Sequence, residues 1–308
     1  MTVSPRVVFG MPAYKRPDTL AQTLESILGQ TYNDFALIIV DDGPTEATDA
    51  IINRYLRLDP RISYERNPRR LGMVQNWRKC FTRAREAHPQ SEYFAWVSDH
   101  DFWHPRWLEL LIAELDANPG VVLACPRTLR IHGHVRARVP RSFETFDVKD
   151  PVERVRLAAE LVFAGDMIYG LFRAGTLAAA GVFRSVLLPD RQVLVALAAL
   201  GEFRQVAEVL WYREAWPVLS VGRQRAALFT GAVPPHAYLP YYVQHCGLML
   251  WDFAVRGRGG TLLDRATGLR ATAAHLVSSI DRERQQRHAR AAGITSPDEA
   301  FGEIDGRP

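Results

Sequence analysis

From Arg6 to Arg127, short unbroken apolar runs alternate with stretches whose apolar residues recur at helical spacing. RVVFGMPAY reads as a strand. Pro17 then stands where the first turn of a helix accepts proline, and Leu20, Leu24, Ile27 and Leu28 fall on one face. FALIIV runs straight into Asp41 and Asp42, and a helical stretch follows to about Leu58. After it come ISYERN, a helix from about Leu71 to Ala87, YFAWVSD, a helix opening at Pro105 with Leu108, Leu111, Ile112 and Leu115, and finally VVLACP. Strands this uniformly apolar are buried on both faces, so the alternation predicts an α/β fold with a mostly parallel sheet flanked by helices. Ligands of such sheets bind beyond the carboxyl ends of the strands. Asp41–Asp42 and Asp99–Asp101 both stand at such ends and should meet in one cleft.

After Arg127 the period is lost in TLRIHGHVRARVPRSFETFDVKDP, which reads as a loop or hairpin over the cleft. Helical spacing returns over 151–163 and 189–200, followed by a strand in QVAEVLWYR. A Trp-, Tyr- and Pro-rich segment leads to a helix over 244–255, GRGG breaks it, and an arginine-bearing helix is expected over 261–292 before a disordered tail. The predicted division is a catalytic domain over 1–213, with halves 1–127 and 128–213, and a mainly helical extension over 214–308.

Composition narrows the chemistry. The 308 residues are 47% hydrophobic and 23% charged, an ordinary globular balance, and a net charge of +4 is too small to argue for nucleic acid. Cys80, Cys125 and Cys246 are far apart and odd in number, which suits a reducing cytoplasm better than a disulfide framework or zinc site. The longest apolar run, Val193 to Leu200, falls short of the roughly 18 residues that span a bilayer, and the N-terminus lacks the apolar core of a signal peptide. His132 and His134 share a strand-like spacing, but a solvated loop explains them more simply than a metal. GRGG lacks the Lys-Ser/Thr of a phosphate loop. Cys80 reads as a packed small hydrophobe. Between Arg256 and Arg290 eight arginines face three acids, which leaves a solvated helix face or an anionic lipid surface as readings.

An Asp-x-Asp at a strand end has a bland role as turn former or cap. Two carboxylates one residue apart can also hold Mg²⁺ or Mn²⁺ through oxygen and leave positions open for phosphate. The order of motifs resembles glycosyltransferase family 2, with its GT-A nucleotide-sugar-binding fold, over about residues 6–213. GMPAYKRPDTLAQTLESILGQTYNDFALIIVDDGPTEATD resembles the family's opening, which implies uracil and ribose contacts at Pro12, Ala13, Tyr14, Arg16, Asp41 and Asp42. RNPRRLGMVQNW resembles the next nucleotide-facing segment, implying Asn67, Arg70, Gly72 and Asn76. SDHD resembles the metal motif, implying Asp99 on the diphosphate and metal and Asp101 as the direct metal ligand, with His100 where another acid is common. LLPDRQVLVALAALGEFRQVAEVLWYRE resembles the acceptor half, implying Asp190 as the catalytic base, with Pro189 where a second acid often stands; after WYR a histidine ligand is common, and here Glu214, Ala215 and Trp216 follow.

The resemblance implies a metal-dependent (Mn²⁺ or Mg²⁺) transfer of a sugar, with inversion, from a nucleoside diphosphate, UDP in the first instance, to a hydroxyl of a saccharide or lipid-linked acceptor. Two other readings stand beside it: a nucleotide-sugar-binding module without catalysis, and a nucleotidyltransferase. The latter would need a Gly- and Lys-rich triphosphate loop, and GMPAYKR supplies too little of one. A cytoplasmic location, a peripheral membrane contact through the extension and a homodimer complete the expectations.

Overall fold

The computed structural model describes residues 4–132, 135–136, 142–161, 164–214, 221–229 and 233–291. In chain order the first half runs β1 (Val7–Ala13), α1 (Pro17–Leu28), β2 (Phe35–Asp41), α2 (Glu46–Leu58), β3 (Ile62–Arg66), α3 (Met73–Ala87), β4 (Tyr93–Trp96), β5 (Phe102–Trp103), α4 (Trp107–Ala117) and β6 (Val121–His132). It continues with β7 (Val135–Arg136), α5 (Pro151–Leu161), α6 (Ala164–Met167), β8 (Leu171–Arg173), α7 (Ala174–Ala180), α8 (Pro189–Leu200) and β9 (Glu202–Glu214). An extension follows: α9 (Val221–Leu228), a 3₁₀ turn (Pro235–Tyr238), α10 (Tyr241–Met249) running into a π-helix (Leu250–Val255), and α11 (Arg265–Ala291).

The strands form one sheet in the order β3-β2-β1-β4-β8-β6-β9-β5, with β7 hairpinned onto β6. β3, β2, β1 and β4 are parallel, so their carboxyl ends share one edge. β8 is antiparallel to both β4 and β6 and separates this parallel half from the parallel pair β6–β9. Every residue of β2 and β4 is buried, as expected of strands covered on both faces. One cover is α3, which lies so close to β1 that a Cβ at Gly10 would stand 2.8 Å from Cys80 Cβ and from the Phe94 ring. Trp96, fully buried, packs edge-on against Phe94, Phe172 and Phe183, joining β4 to β8 and to the segment before α8.

Several boundaries differ from the pattern; β9, for example, begins at Glu202 rather than Gln205. VVLACP extends through TLRIH as β6, because Thr128, Leu129 and Arg130 find parallel partners in Trp211, Tyr212 and Arg213, and Ile131 and His132 pair with β7. The expected helix over 244–255 begins at Tyr241 and loosens into the π-helix at Leu250. The last helix begins at Arg265 rather than 261, since Asp264 accepts from the Thr267 backbone at 2.9 Å and acts as its cap. His134 and the expected disordered tail (292–308) lie outside the described residues. Among those described, no helix is long and apolar enough to cross a membrane.

Candidate active site

The parallel edge gathers the first set of expected residues. Register places Ala13 beside Asp41 and Pro12 beside Val40, and the Tyr14 N–H donates to Asp99 Oδ2 at 2.8 Å, tying the end of β1 to the loop after β4. Tyr14 is 38% exposed, and the Arg70 guanidinium lies 4.9 Å from its ring centre. That leaves an aromatic face with a cation beside it, a surface suited to a base and its phosphates. Lys15 adopts φ 54, a left-handed conformation costly for a side chain-bearing residue and common at binding turns. Asp41 is buried, accepting from Gly43 N at 2.9 Å and the Tyr64 hydroxyl at 3.3 Å. Burial pushes its carboxyl up, the Gly43 and Tyr64 hydrogen bonds oppose this, and the nearby Asp49 and Asp99 charges add to it.

Asp42, Asn67, Gly72 and Asn76 form a different unit. Asp42 accepts from Asn67 Nδ2 (2.8 Å), Leu71 N (2.6 Å) and Gly72 N (2.7 Å), while Asn67 also donates to Asn76 Oδ1 and Asn76 donates to the Val40 carbonyl. Gly72, at φ 83, makes the turn into α3 that brings its N–H to Asp42. This network folds 67–72 back onto the end of β2, and it uses the hydrogen-bonding groups of Asp42 within the protein.

In SDHD each carboxylate oxygen accepts from a protein group. Asp99 takes Tyr14 N and, at 2.7 Å, His100 Nδ1; Asp101 takes the Ser98 hydroxyl at 2.6 Å and Glu214 N at 3.1 Å. Asp101 is 1% exposed and pins the end of β9 to this loop. Burial pushes its carboxyl up, while His100, Ser98 and Glu214 stabilise the charged form. For His100 burial is the largest influence and works against the cation, but the Asp99 hydrogen bond and the Asp101 and Asp99 charges together outweigh it, raising the imidazole. Among the described residues no group of three His, Cys, Asp or Glu side chains could hold a metal. The donor set is nevertheless the hard-oxygen kind, with a spare lone pair on each oxygen. It fits a cation that takes its remaining ligands from phosphate, as Mg²⁺ commonly does.

Asp190 sits in the first turn of α8, its Oδ1 accepting from Arg191 N at 2.9 Å. The cap position is Leu188, which holds φ 49 and ψ 56 directly before Pro189, a strained arrangement for a branched residue. Asp190 opens onto a cavity of about 280 Å³ and is otherwise enclosed by protein. Burial pushes its carboxyl up, opposed by the Arg191 hydrogen bond and by the Arg191 and Arg213 charges. Tyr169 lines the same cavity and feels the charges of Asp101, Arg213, Asp99 and Asp190, so the cavity adjoins the strand-end carboxylates. Another buried acid of this half, Asp166, is engaged: Arg213 donates to it at 2.6 Å and Arg130 at 3.1 Å. Each of its oxygens thus carries an arginine donor.

The extension grips the segment before Asp190. Leu187 N donates to Gln244 Oε1 at 3.1 Å, His245 Nε2 donates to the Leu187 carbonyl at 2.7 Å, and Arg184 pairs with buried Asp252 at 2.7 Å. These bonds fix the strained Leu188 turn, and hence the direction of Asp190. His245→Phe leaves the Leu187 carbonyl without this donor and is therefore expected to cost about 1 to 3 kcal/mol of stability; urea unfolding checks it, and an unchanged midpoint would show the grip to be dispensable.

Arg213, Tyr169 and the gripping pair Gln244–His245 were not among the expected site residues. WYR flagged Arg213 weakly; nothing local marks the others.

Comparison with known proteins supplies the context for this geometry. Residues 9–172, more than half of the 308, match the family described as Glycosyl transferase family 2. The chain is 28% identical over 112 residues to an uncharacterized glycosyltransferase of Haemophilus influenzae, covering 35% of this chain and 32% of that protein. It is 32% identical over 121 residues to the uncharacterized glycosyltransferase MJ1057 of Methanocaldococcus jannaschii, covering 39% and 40% respectively. The chain thus spans well under half the length of these curated relatives. Among solved structures, S. aureus TarS 1–349 in complex with UDP-GlcNAc superposes with a TM-score of 0.64 at 13% identity, over 96% of this chain and 78% of that one, a likeness of GT-A fold.

Proposed function

Because the chain belongs to glycosyl transferase family 2, we propose that it transfers a sugar from a nucleoside-diphosphate sugar, a UDP-sugar in the first instance, to a hydroxyl of a saccharide or lipid-linked acceptor, with inversion at the anomeric carbon. The observation that carries this reading is Asp190: a carboxylate with no arginine at ion-pair distance among the described residues, in a cavity that adjoins the strand-end carboxylates through Tyr169. TarS, as a fold relative holding UDP-GlcNAc, favours UDP.

In this reading Tyr14, Arg70 and Arg16 receive the nucleotide at the mouth of β1, with Asp41 at the floor. Asp42, Asn67, Gly72 and Asn76 shape that floor. Asp190 accepts the proton of the acceptor hydroxyl as its oxygen attacks the anomeric carbon from the face opposite the diphosphate. Burial that raises the Asp190 carboxyl makes it a better base once ionised. It also sets the sign of the pH dependence: transfer falls on acidification, with a limb above the ordinary aspartate value of about 4, and a kcat–pH profile reads it. Asp99 and Asp101 would hold a divalent cation, which when bound offsets charge on the departing diphosphate.

Geometry separates the two acids. Asp101→Asn turns an N–H₂ toward the Ser98 hydroxyl or Glu214 N–H in a buried site, so it is expected to cost about 1 to 3 kcal/mol of stability. Asp99→Asn can keep its oxygen on Tyr14 N and donate its amide to a neutral His100 Nδ1, so it is expected to cost less stability than Asp101→Asn and to weaken Mn²⁺-dependent UDP binding by at least about tenfold. Calorimetric UDP titrations with and without Mn²⁺, beside urea melts, check both; wild-type binding that ignores Mn²⁺ would take the cation out of the proposal.

The test of the reading is product formation from radiolabelled UDP-, GDP- and dTDP-sugars. Transfer or slow donor hydrolysis with one of them supports it; none with any would leave a binding module.

A further inference from the structure

The cavity at Asp190 has a composition unlike a site for a heavily hydroxylated sugar. Met73 and Trp77 come from α3, Ile168 and Tyr169 from the turn after α6, Phe183 and Leu188 from the approach to α8, and Ala227 and Leu228 of α9 close it from the extension side. Among the described residues the polar side-chain groups on its wall are Asp190, Gln224, the Tyr169 hydroxyl and the Trp77 indole N–H; the remaining described lining is apolar, Gly165 or Pro189. At about 280 Å³ it holds one ring-sized group and lies just below the ~300–1,000 Å³ range of drug-sized ligand sites. A guest hydroxyl aimed at Met73, Phe183 or Leu228 would lose its water and gain no partner, a penalty that recurs with each such hydroxyl.

We infer that this cavity is a subsite for a hydroxyl-poor, ring-sized part of the acceptor, such as a deoxy sugar or an apolar alcohol, and that α9 of the extension sets this preference. The inference rests on Asp190 being the base, because that role places the attacked hydroxyl at the cavity. Trp77 and Tyr169, whose ring centres are 5.4 Å apart and edge-on, offer a flat apolar guest a face and an edge. Asp190 then meets the one hydroxyl that reacts, and the few polar groups leave little to pair a second or third. Selection works against polar guests by leaving their hydroxyls unpaired, rather than by contacts that only the right guest makes.

Matched probes test it on the full chain saturated with UDP. Cyclohexanol and myo-inositol share a six-membered carbon ring and carry one and six hydroxyls. Tryptophan fluorescence, with Trp77 in the wall, is expected to report cyclohexanol binding about 10- to 100-fold tighter than myo-inositol. Ala227→Asp, at an exposed wall position, and Met73→Gln, at a residue 40% exposed, are expected to weaken cyclohexanol binding at least about fivefold, on the scale of an unpaired polar contact. Unchanged UDP affinity shows that both variants are folded. Methyl α-L-fucoside against methyl α-L-galactoside, which differ by one hydroxyl, then asks whether the apolar feature is carried by a deoxy sugar; a preference for the fucoside assigns it to a sugar, and none assigns it to an apolar alcohol. Equal or tighter binding of myo-inositol, no cyclohexanol binding, or cyclohexanol binding indifferent to both variants would overturn the inference. Because the probes read the cavity without turnover, their failure is distinct from failure of the donor panel, which reads the transferase.

Discussion

Asp190→Asn is expected to lower the transfer rate by roughly 10²- to 10⁴-fold, equivalent to about 3 to 5 kcal/mol of barrier, while donor affinity persists. Asn keeps the oxygen that accepts from Arg191 N, so the first turn of α8 is preserved. Stability should hold or rise slightly at neutral pH. The folded protein raises the Asp190 carboxyl above its unfolded value, so the contribution of this group to stability is present at low pH and lost as pH rises through the folded value; removing the charge removes that loss. The competing reading, that Asp190 serves only to hold the helix start, makes the opposite forecast: Asn nearly silent in all assays, and Asp190→Ala costing about 1 kcal/mol of stability with little change in rate. Single-turnover rates of folded Asp190→Asn at saturating donor, beside a urea melt, decide between them. A rate within about threefold of wild type, far inside the range expected of a lost base, would send the search to other acids. Asp166 is a weak successor because Arg213 and Arg130 already occupy it.

Asp42→Ala carries the second large effect, and it falls on stability. Three donors, Asn67 Nδ2, Leu71 N and Gly72 N, lose their acceptor together, and two of them are buried. At about 1 to 3 kcal/mol for each unsatisfied buried donor, less what relaxation and water recover, the loss is expected to be about 3 to 5 kcal/mol. Urea unfolding should show a lower midpoint with an unchanged slope, and UDP affinity should fall with the loop that Asp42 holds. Wild-type stability combined with lost UDP binding would instead make Asp42 a direct nucleotide contact.

These two aspartates show where a sequence informs and where it stops. Asp41, Asp42 and Asp99 were visible as strand-end carboxylates because strands covered on both faces leave unbroken apolar runs, and FALIIV and YFAWV end where the polarity changes. Their separate roles were not visible. Asp42 differs from Asp41 only because 67–72 folds back onto it, about thirty positions along the chain. The use of both Asp101 oxygens depends on Ser98 nearby and on Glu214, 113 positions away. β8 spans three residues, too few for a period, yet it inserts antiparallel between two parallel sets. The hold of Gln244 and His245 on Leu187 joins residues 57 and 58 apart through a backbone carbonyl and N–H, groups that every sequence position carries. Resemblance placed Asp190; its cavity and the wall contributed by α9 are tertiary facts.

The proposed reaction is a single displacement at the anomeric carbon with Asp190 taking the proton. The measurement closest to that reaction is the anomeric configuration of the first product formed from whichever donor of the panel is transferred. Proton NMR of an early time point, before secondary reactions, reads it from the coupling of the anomeric signal. The expected configuration is opposite to that of the donor, so an α-linked nucleotide sugar gives a β-glycoside. Retention of the donor's configuration would contradict it.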